Sequence, residues 1–562
     1  MVTETKHVPV LIVGAGPVGV TIANLLGEYG VETLLIDKSP AILDYPRAVG
    51  LDDEALRTFQ AAGLAEKMLR DMIQNVPMRM YSADKKCMAE ILPGTKEFGW
   101  FRRNLFSQPL GETTLRDGLK RYPHVHMELG VELKSLSQDE SGVTVTVENE
   151  NGDGRQIKAQ YLVAADGARS TVRESLLKIS YEGKTHAHKW VVIECENDPL
   201  DAPYTALHCD PSRPYVCLRL PYGLRRWEFM LFPGEDGEQM LKPDKVNELL
   251  RNHVPHPEQL NIIRARVYTH NSRVAGTFVS GRVCLAGDAA HITPPWIGQG
   301  LNAGLRDAFN LAWKLAWIIK GRLKPEMLIS YHDERHAHTK AMIDLADLFG
   351  SALSQRNRMV AWIRDRLLLT IKHIPAVRDY VLQMKFKPMP RFSKGIVINS
   401  GQKNQDEVVG RMFIQPNLEV HSGETKRFDD LVGPGFALLT WRCNPMANAP
   451  EELIIKLKQR LSCQLLIGIR SRTSDVECDP SILNSTHSMI VQDVENSLQL
   501  WFQDKNIDWV LIRPDRFVAA AGQSGNLIST LNQFCAMVLP KNLNADQSIH
   551  QPNPPHMQVF ST

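Results

Sequence analysis

This 562-residue chain predicts an α/β fold: a parallel sheet wound with helices, an antiparallel sheet inserted into it, and a further α/β region at the C-terminal end. Three observations carry that prediction. Residues 9–38 read strand, glycine turn, helix, strand; three short apolar runs end in Gly14, Asp166-Gly167 and Gly287-Asp288; and residues 181–273 are dense in strand-like segments.

The opening stretch is PVLIVGAGPVGVTIANLLGEYGVETLLIDK. Residues 10–13 form an apolar run suited to a buried parallel strand. Gly14, Gly16 and Gly19 then give GxGxxG at the entry to a helix. Gly14 permits the tight turn, Gly16 lets backbone N–H groups approach a pyrophosphate, and Gly19 lets the helix lie close to the strand. Val18, Ile22, Leu25 and Tyr29 share one helical face, Gly30 fits a C-cap, and residues 31–36 form a second strand ending at Asp37, where a ribose-binding acid belongs. A lone GxGxxG is a weak signal, but the whole unit points to a Rossmann-like dinucleotide site. In the next loop, SPAILDYPRAVG, Arg47 is placed to meet a phosphate or ribose. A helix from about Asp52 follows, with Leu56, Phe59 and Leu64 on its apolar side. Residues 78–106 alternate strand-like runs with turns, an excursion out of the first domain, and 108–119 return to helix.

Residues 131–157 read as hairpins with Ser-Gly and Asn-Gly turns, and 161–165 as a buried strand closing in Asp166-Gly167, a second ligand contact at the sheet's carboxyl edge. The runs WVVIECE, YVCLRLP, RWEFMLFP and RARVYTH predict an antiparallel sheet forming a lid or substrate floor; Arg219, Arg225 and Arg226 cluster within it. In 282–319 a strand ends at Gly287-Asp288, and a loop with Pro294, Pro295, Gly298 and Gly300 feeds a helix. The free amides of Gly300, Leu301 and Asn302 form an anion site there. His332 and His336 are four apart on a helix, but the HExxH order is absent, so surface histidines rather than a metal site are expected and no metal is assigned. Residues 345–390 are helical and basic, 391–400 read as a linker, 401–540 alternate strands and helices, and 541–562 are polar, Pro-bearing and expected to be disordered.

Net charge is +2 with both signs interspersed, which argues against nucleic acid as a partner. No apolar run reaches membrane-spanning length and the N-terminus lacks a signal peptide's regions, so a cytoplasmic protein with no membrane partner is expected. Nine cysteines without a CxxC are expected to be reduced, buried thiols.

The order Gly14-Ala15-Gly16-Pro17-x-Gly19, Asp166-Gly167, Gly287-Asp288-Ala289-Ala290-His291 resembles the class A flavoprotein aromatic hydroxylases, relatives of para-hydroxybenzoate hydroxylase and phenol hydroxylase. The blocks DYPRAVGLDDEALRT, EFGWFRRN, EGKT, CDPSRPYV, RVYTHN, RDAFNLAWKLA, KFKPMP, RMFIQP and RPDRFVAA resemble its branch acting on 3-(3-hydroxyphenyl)propanoate and 3-hydroxycinnamate, while PPWIGQGLN looks more like the para-hydroxybenzoate enzymes. The resemblance implies FAD as cofactor, NADH and O2 as co-substrates, and one oxygen atom inserted ortho to a phenol hydroxyl. The same chemistry on resorcinol, phenol or a hydroxybenzoate, and a non-catalytic flavin protein, are the other readings. A homodimer is left open.

It also implies a layout: an FAD-binding domain (1–77 with 105–180 and 274–390), a substrate domain (78–104 with 181–273) and a C-terminal domain that is thioredoxin-like without a redox cysteine pair (401–540). The cofactor-binding candidates are Val13, Gly14, Gly16, Pro17, Gly19, Asp37, Lys38, Arg47, Gln108, Asp166, Gly287, Asp288, Gly300, Leu301 and Asn302. Catalytic candidates are the Pro295 carbonyl as acceptor for the substrate hydroxyl, Arg226 beside the flavin, and Tyr268 and His270 in the pocket; Arg219, Arg225 and Arg226 are the candidate partners of the substrate carboxylate.

Overall fold

The computed structural model describes residues 3–399, 401, 407–420, 422–444, 446, 449–470 and 487–541. β1 (Thr3–Val13), α1 (Pro17–Glu28) and β2 (Thr33–Asp37) form the opening unit that the apolar spacing predicts. Gly30 follows the helix at φ +64°, a conformation in which glycine carries no side-chain penalty. β1 lies parallel between β2 and the strand Gly154–Ala164, which in turn lies parallel to Val283–Leu285. Val13 is paired with both Ile36 and Ala164, and Ala164 with Leu285. This register brings the turns after Val13, Ala164 and Leu285 out side by side at the carboxyl edge, where open parallel sheets bind ligands. The predicted hairpins, Val131–Gln138 and Val143–Asn149, extend the same sheet.

α2 (Asp53–Ala61) is capped by Asp52, whose side chain accepts from the Ala55 N–H at 3.0 Å. Leu56 and Phe59 are buried in it; Leu64 is buried too but lies past its end.

The second sheet has eight strands, in the order His291–Ile292, Ile262–Ala275, Tyr181–Cys195, Arg225–Met230, Tyr215–Arg219, Thr205–His208, Met78–Tyr81, Cys87–Ile91. It is antiparallel except where Thr205–His208 runs parallel to Met78–Tyr81. That departs from the all-antiparallel expectation. The two strands come from different excursions of the chain, so no hairpin turn dictates their direction. The helix Gly300–Ile319 packs against α1 and α2 and is buried along most of its length, as its nearly continuous apolar sequence requires.

Among the described residues the C-terminal region forms a seven-stranded sheet. Its strand Ala437–Trp441 is parallel to Gln464–Ile469 and antiparallel to Trp509–Ile512, and the helix Leu527–Val538 follows the last strand. The stretch read as a linker is a packed seam: Phe392 and Ile396 are buried, and the Ile398 N–H donates to the Ala519 carbonyl at 2.7 Å. Two buried charge clusters also cross this seam. Arg57 of α2 grips Asp429 with two bonds of 2.7 Å. Arg513 grips Glu334 with two bonds of 2.7 Å and also holds Asp515, while Lys314 and Asn310 each reach Glu334 at 2.7 Å. Among the described residues, Cys87 and Cys443 are half-buried rather than buried and the other cysteines are buried and free. No helix among them is long and apolar enough to cross a membrane. Cys478 and the expected disordered tail, apart from Lys541, lie outside the described residues.

Candidate functional site

A cavity of about 520 Å³ runs from the glycine turn, past the Asp288 turn, to the second sheet. At one end it is lined by Ala15, Gly16, Pro17, Asp37, Arg47, Gln108 and Arg116. The Asp37 carboxylate accepts from the N–H groups of Ala15 (2.6 Å) and Ser39 (2.7 Å), so it fixes the glycine turn as well as facing the cavity. Gln108 organises the Arg47 loop, its Oε1 accepting from the Arg47 and Ala48 N–H groups at 2.8 and 2.7 Å. The glycines divide by role. A Cβ on Gly19 would overlap the Gly14 carbonyl oxygen, and Gly14 itself stands at φ +110°, whereas a Cβ on Gly16 would meet no protein atom within 4 Å. Space kept open at that one glycine, at the N-terminus of α1, is what a pyrophosphate requires.

The middle of the cavity is lined by residues 49–52, Gly287, Asp288 and 295–302. The first internal bond of the helix Gly300–Ile319 runs from the Ala303 N–H to the Gln299 carbonyl, so the amides of Gly300, Leu301 and Asn302 are spare and the helix dipole favours an anion there. Asn302 fastens this turn to the loop before α2, accepting from the Asp52 N–H at 3.0 Å and donating to the Gly50 carbonyl at 3.2 Å. The Asp288 side chain is exposed, but into the cavity: the surrounding walls deprive its carboxyl of bulk water and raise its pKa, against the pull of His291 and Arg47. These features fit FAD. The Gly16 cradle suits its pyrophosphate, the spare amides the electron-rich edge of its ring, and the Asp288 carboxylate its hydroxyls.

Beneath Asp52 the carboxylates of Asp52, Asp53 and Glu54 converge within 4.8 Å of one another. Cations occupy the place a metal would need: Arg306 binds Asp52 and Glu54, and Lys387 reaches the same two residues at 3.0 Å. Burial raises the Asp53 carboxyl to about 7. His332 and His336 stand 4.8 Å apart, half-buried against Phe278, and His332 Nδ1 accepts from the Phe278 N–H at 3.2 Å.

The far wall follows the period of two that a strand imposes. Thr205 and Leu207, Val216 and Leu218, and Arg226 and Glu228 all face the cavity. The same alternation corrects two of the arginine expectations. Arg225 points to the opposite face, fully buried and bound to Asp198 at 2.6 and 2.8 Å, and Arg219 is exposed, one step out of phase with Leu218. Arg226 does line the cavity, but Glu194 already holds it at 2.6 Å and Glu228 lies 3.6 Å away. Tyr268 and His270 do not line it: their strand, Ile262–Ala275, sends no residue to the cavity. His270 instead stacks on Trp190 at 5.6 Å and meets the edge of Trp296 at 5.3 Å; burial lowers its pKa to about 3, so it is a neutral support.

Pro295 lines the cavity, although its carbonyl already accepts from the Gly298 N–H at 2.9 Å, leaving one lone pair. Val13, Lys38 and Asp166 do not line it. Asp166 caps the turn after Ser170 by accepting from the Val172 N–H at 3.2 Å, while its neighbours Ala165 and Gly167 face the cavity. Residues that the sequence reading passed over are Arg102, Arg103, Arg116, Thr205, Glu228, Thr293, Trp296 and Gln299. Arg102 and Arg103 had one signal: adjacent arginines inside the aromatic stretch WFRRNLF.

Trp296 gives a direct test of the cavity's shape. Gly350 faces it, and a Cβ there would overlap Trp296 Nε1, while Trp190 at 4.9 Å and His270 block retreat. Gly350→Ala is expected to push the indole into the cavity, weakening aromatic ligands about tenfold while flavin content stays unchanged; titration of the flavin spectrum with substrate reads both.

The family description "FAD binding domain" matches residues 7–346, and "HcaD C-terminal domain" matches 410–537. The chain is 50% identical to 3-(3-hydroxy-phenyl)propionate/3-hydroxycinnamic acid hydroxylase 2 of Burkholderia vietnamiensis over 91% of this chain and 93% of that one. It is 41% identical to an Escherichia coli hydroxylase of the same description, over 97% of both chains. Among solved structures, the flavin-dependent monooxygenase PieE with FAD and substrate aligns at TM-score 0.76 and 22% identity, covering 96% of this chain and 100% of that chain. A ternary complex of aklavinone-11 hydroxylase with FAD and aklavinone aligns at 0.74 and 22%, over 95% and 100%. The chain therefore belongs to the FAD-binding monooxygenases, in the 3-(3-hydroxyphenyl)propionate/3-hydroxycinnamate hydroxylase family.

Proposed function

We propose that the protein hydroxylates 3-(3-hydroxyphenyl)propanoate, and 3-hydroxycinnamate, at ring position 2. One oxygen atom of O2 enters the ring and the other leaves as water, with NADH and a proton supplying the reducing equivalents. The observation that carries this reading is the single cavity joining the nucleotide turn, the spare amides of residues 300–302 and an apolar wall on the second sheet. FAD, when bound, supplies the redox chemistry and the activation of O2.

The chain's own residues hold and orient. The Gly14–Gly19 turn and Asp37 seat the nucleotide end; the amides of Gly300, Leu301 and Asn302 stabilise negative charge next to the reacting ring. Electron density from a phenolate reaches only the ortho and para ring carbons, so the pocket's hold on the ring selects position 2. The remaining lone pair of the Pro295 carbonyl accepts the phenol O–H, and the Thr293 hydroxyl, buried beside it without a hydrogen-bond partner, is available to the same oxygen. Met78, Leu207, Val216, Leu218 and Trp296 pack the ring and keep water out. The order of the C-terminal strands, with parallel 437–441 and 464–469 flanked by antiparallel 509–512 and 518–522, supports a thioredoxin-like arrangement used for packing.

The test is product analysis. Holoenzyme incubated with NADH, O2 and 3-(3-hydroxyphenyl)propanoate is expected to give the 2,3-dihydroxyphenyl acid, one NADH oxidised per product. A para-hydroxylated product by NMR, or NADH oxidation yielding hydrogen peroxide alone, overturns the reading.

A further inference from the structure

Five cations line the cavity among the described residues, Arg47, Arg102, Arg103, Arg116 and Arg226, and four of them are committed or belong to the nucleotide end. Arg226 is held by Glu194, and Arg102 pairs with Glu97 at 2.6 Å and Asp53 at 3.3 Å. Arg116 donates to the Ala15 carbonyl at 3.1 Å, beside the glycine turn. Arg47 lies in the loop that Gln108 fastens at the same end. Arg103 is different. Among the described residues its side chain makes one hydrogen bond, from Nε to the Val76 carbonyl at 3.1 Å, which leaves both terminal nitrogens of the guanidinium without a protein partner, and no carboxylate among them pairs with it. Desolvation lowers its pKa to about 10 with no acid to offset it, so it stays cationic at neutral pH.

A second group lies beside it. The backbones of Val76 and Arg103 are joined by the Val76 N–H to the Arg103 carbonyl at 3.0 Å, and the Thr205 N–H donates to the Pro77 carbonyl at 2.9 Å. Thr205 is thus paired, from a separate strand, with the residue next to Val76; it is 8% exposed, lines the cavity, and has an Oγ1 with no hydrogen-bond partner. Met78, Leu207 and Leu218 make the adjoining wall apolar. A bare guanidinium and a bare hydroxyl beside an apolar wall form a site for a carboxylate carried by an apolar body. The fork of Arg103 offers two parallel N–H donors and Thr205 a third.

We propose that Arg103, assisted by Thr205, anchors the side-chain carboxylate of the aromatic acid. This rests on the function proposed above, and it gives to Arg103 the role that Arg219 and Arg225 are turned away from and Arg226 is paired out of. Anchoring at this end fixes the ring's rotation in the pocket, so Arg103 sets both selectivity for acids and the ring carbon that reacts.

The experiment uses holoenzyme of wild type, Arg103→Gln, Arg103→Lys and Thr205→Val. It measures kcat, KM and peroxide leakage with 3-(3-hydroxyphenyl)propanoate and with the neutral 3-(3-hydroxyphenyl)propan-1-ol, and flavin content by visible absorbance. Arg103→Gln is expected to keep its flavin and raise KM for the acid about a hundredfold, with the alcohol changed less than about threefold. Arg103→Lys recovers about tenfold of that loss, and Thr205→Val raises KM for the acid about fivefold. An equal rise for acid and alcohol shows a packing role and overturns the proposal, as does a rise confined to KM for NADH or an unchanged KM for the acid. Failure of the wild type to turn over the acid sinks the proposed function and the anchor with it. A wild type active on the acid beside an unaffected Arg103→Gln sinks the anchor alone.

Discussion

Gly16→Val is expected to give a folded protein that purifies without flavin. Most glycine substitutions in this turn confound the two, since a Cβ at Gly19 or Gly14 runs into backbone and would damage the fold itself. Gly16 separates them. Its φ of −75° is open to any residue, and a Cβ there touches no protein atom within 4 Å. The volume an isopropyl group would take is the volume in front of the first amides of α1, where Pro17 contributes no N–H and the first internal bond runs from the Val20 N–H to the Gly16 carbonyl. Filling it pushes the pyrophosphate off those amides, a loss of about 3 kcal/mol or more, equivalent to a hundredfold or more in flavin affinity. Circular dichroism and the unfolding midpoint of apoprotein should match wild type. Full flavin stoichiometry in Gly16→Val would remove the glycine turn from the site.

Arg513→Met is expected to destabilise the whole protein by about 3–5 kcal/mol. Arg513, Glu334, Lys314 and Asp515 are all at most 1% exposed at their side chains, so none can turn to water when a partner is lost. Without the guanidinium, Asp515 keeps only Asn310 at 3.0 Å, and Glu334 keeps Lys314, Asn310 and the Ile396 N–H. Burial alone would raise the Glu334 carboxyl, but Arg513 and then Lys314 overcome it and hold it at about 2. A depressed carboxylate contributes its full stability above the ordinary glutamate value of 4.5 and loses it as pH falls toward 2, so wild type and Arg513→Met should converge in acid. Thermal and urea unfolding at neutral and low pH measure this, and a neutral-pH loss under about 1 kcal/mol would show that the cluster does not hold the seam.

The periodic features were legible in the sequence: β1, α1 and β2 from apolar spacing, the three turns from their glycines and aspartates, the C-terminal strands from their apolar runs. Those signals are local, and a chain displays them without its partners. The face a strand residue takes is also local, and the alternation that separates Arg225 from Arg226 was present in RRWEFM; what the sequence lacks is which face meets the cavity, since this depends on which sheet packs over which. Tyr268 and His270 were misplaced for the same reason, because strand order within the second sheet is set by pairing between segments as far apart as Met78 and Thr205. Arg103 was hidden differently. Its importance lies in a missing partner, and a missing partner cannot be seen until every acid nearby has been located.

The Arg57–Asp429 and Glu334–Arg513 pairs have a consequence for how such chains can be recombined. The break between the first 390 residues and the rest is a natural place to exchange C-terminal regions between relatives, yet each of these pairs has one member on either side of it. A graft that brings no carboxylate at 429 leaves Arg57 buried without a counter-charge; one that brings no cation at 513 leaves Glu334 to Lys314 alone among side-chain cations. Viable hybrids should therefore be drawn from parents that share both pairs, and the two halves are inherited as a matched set even though only one of them lines the cavity.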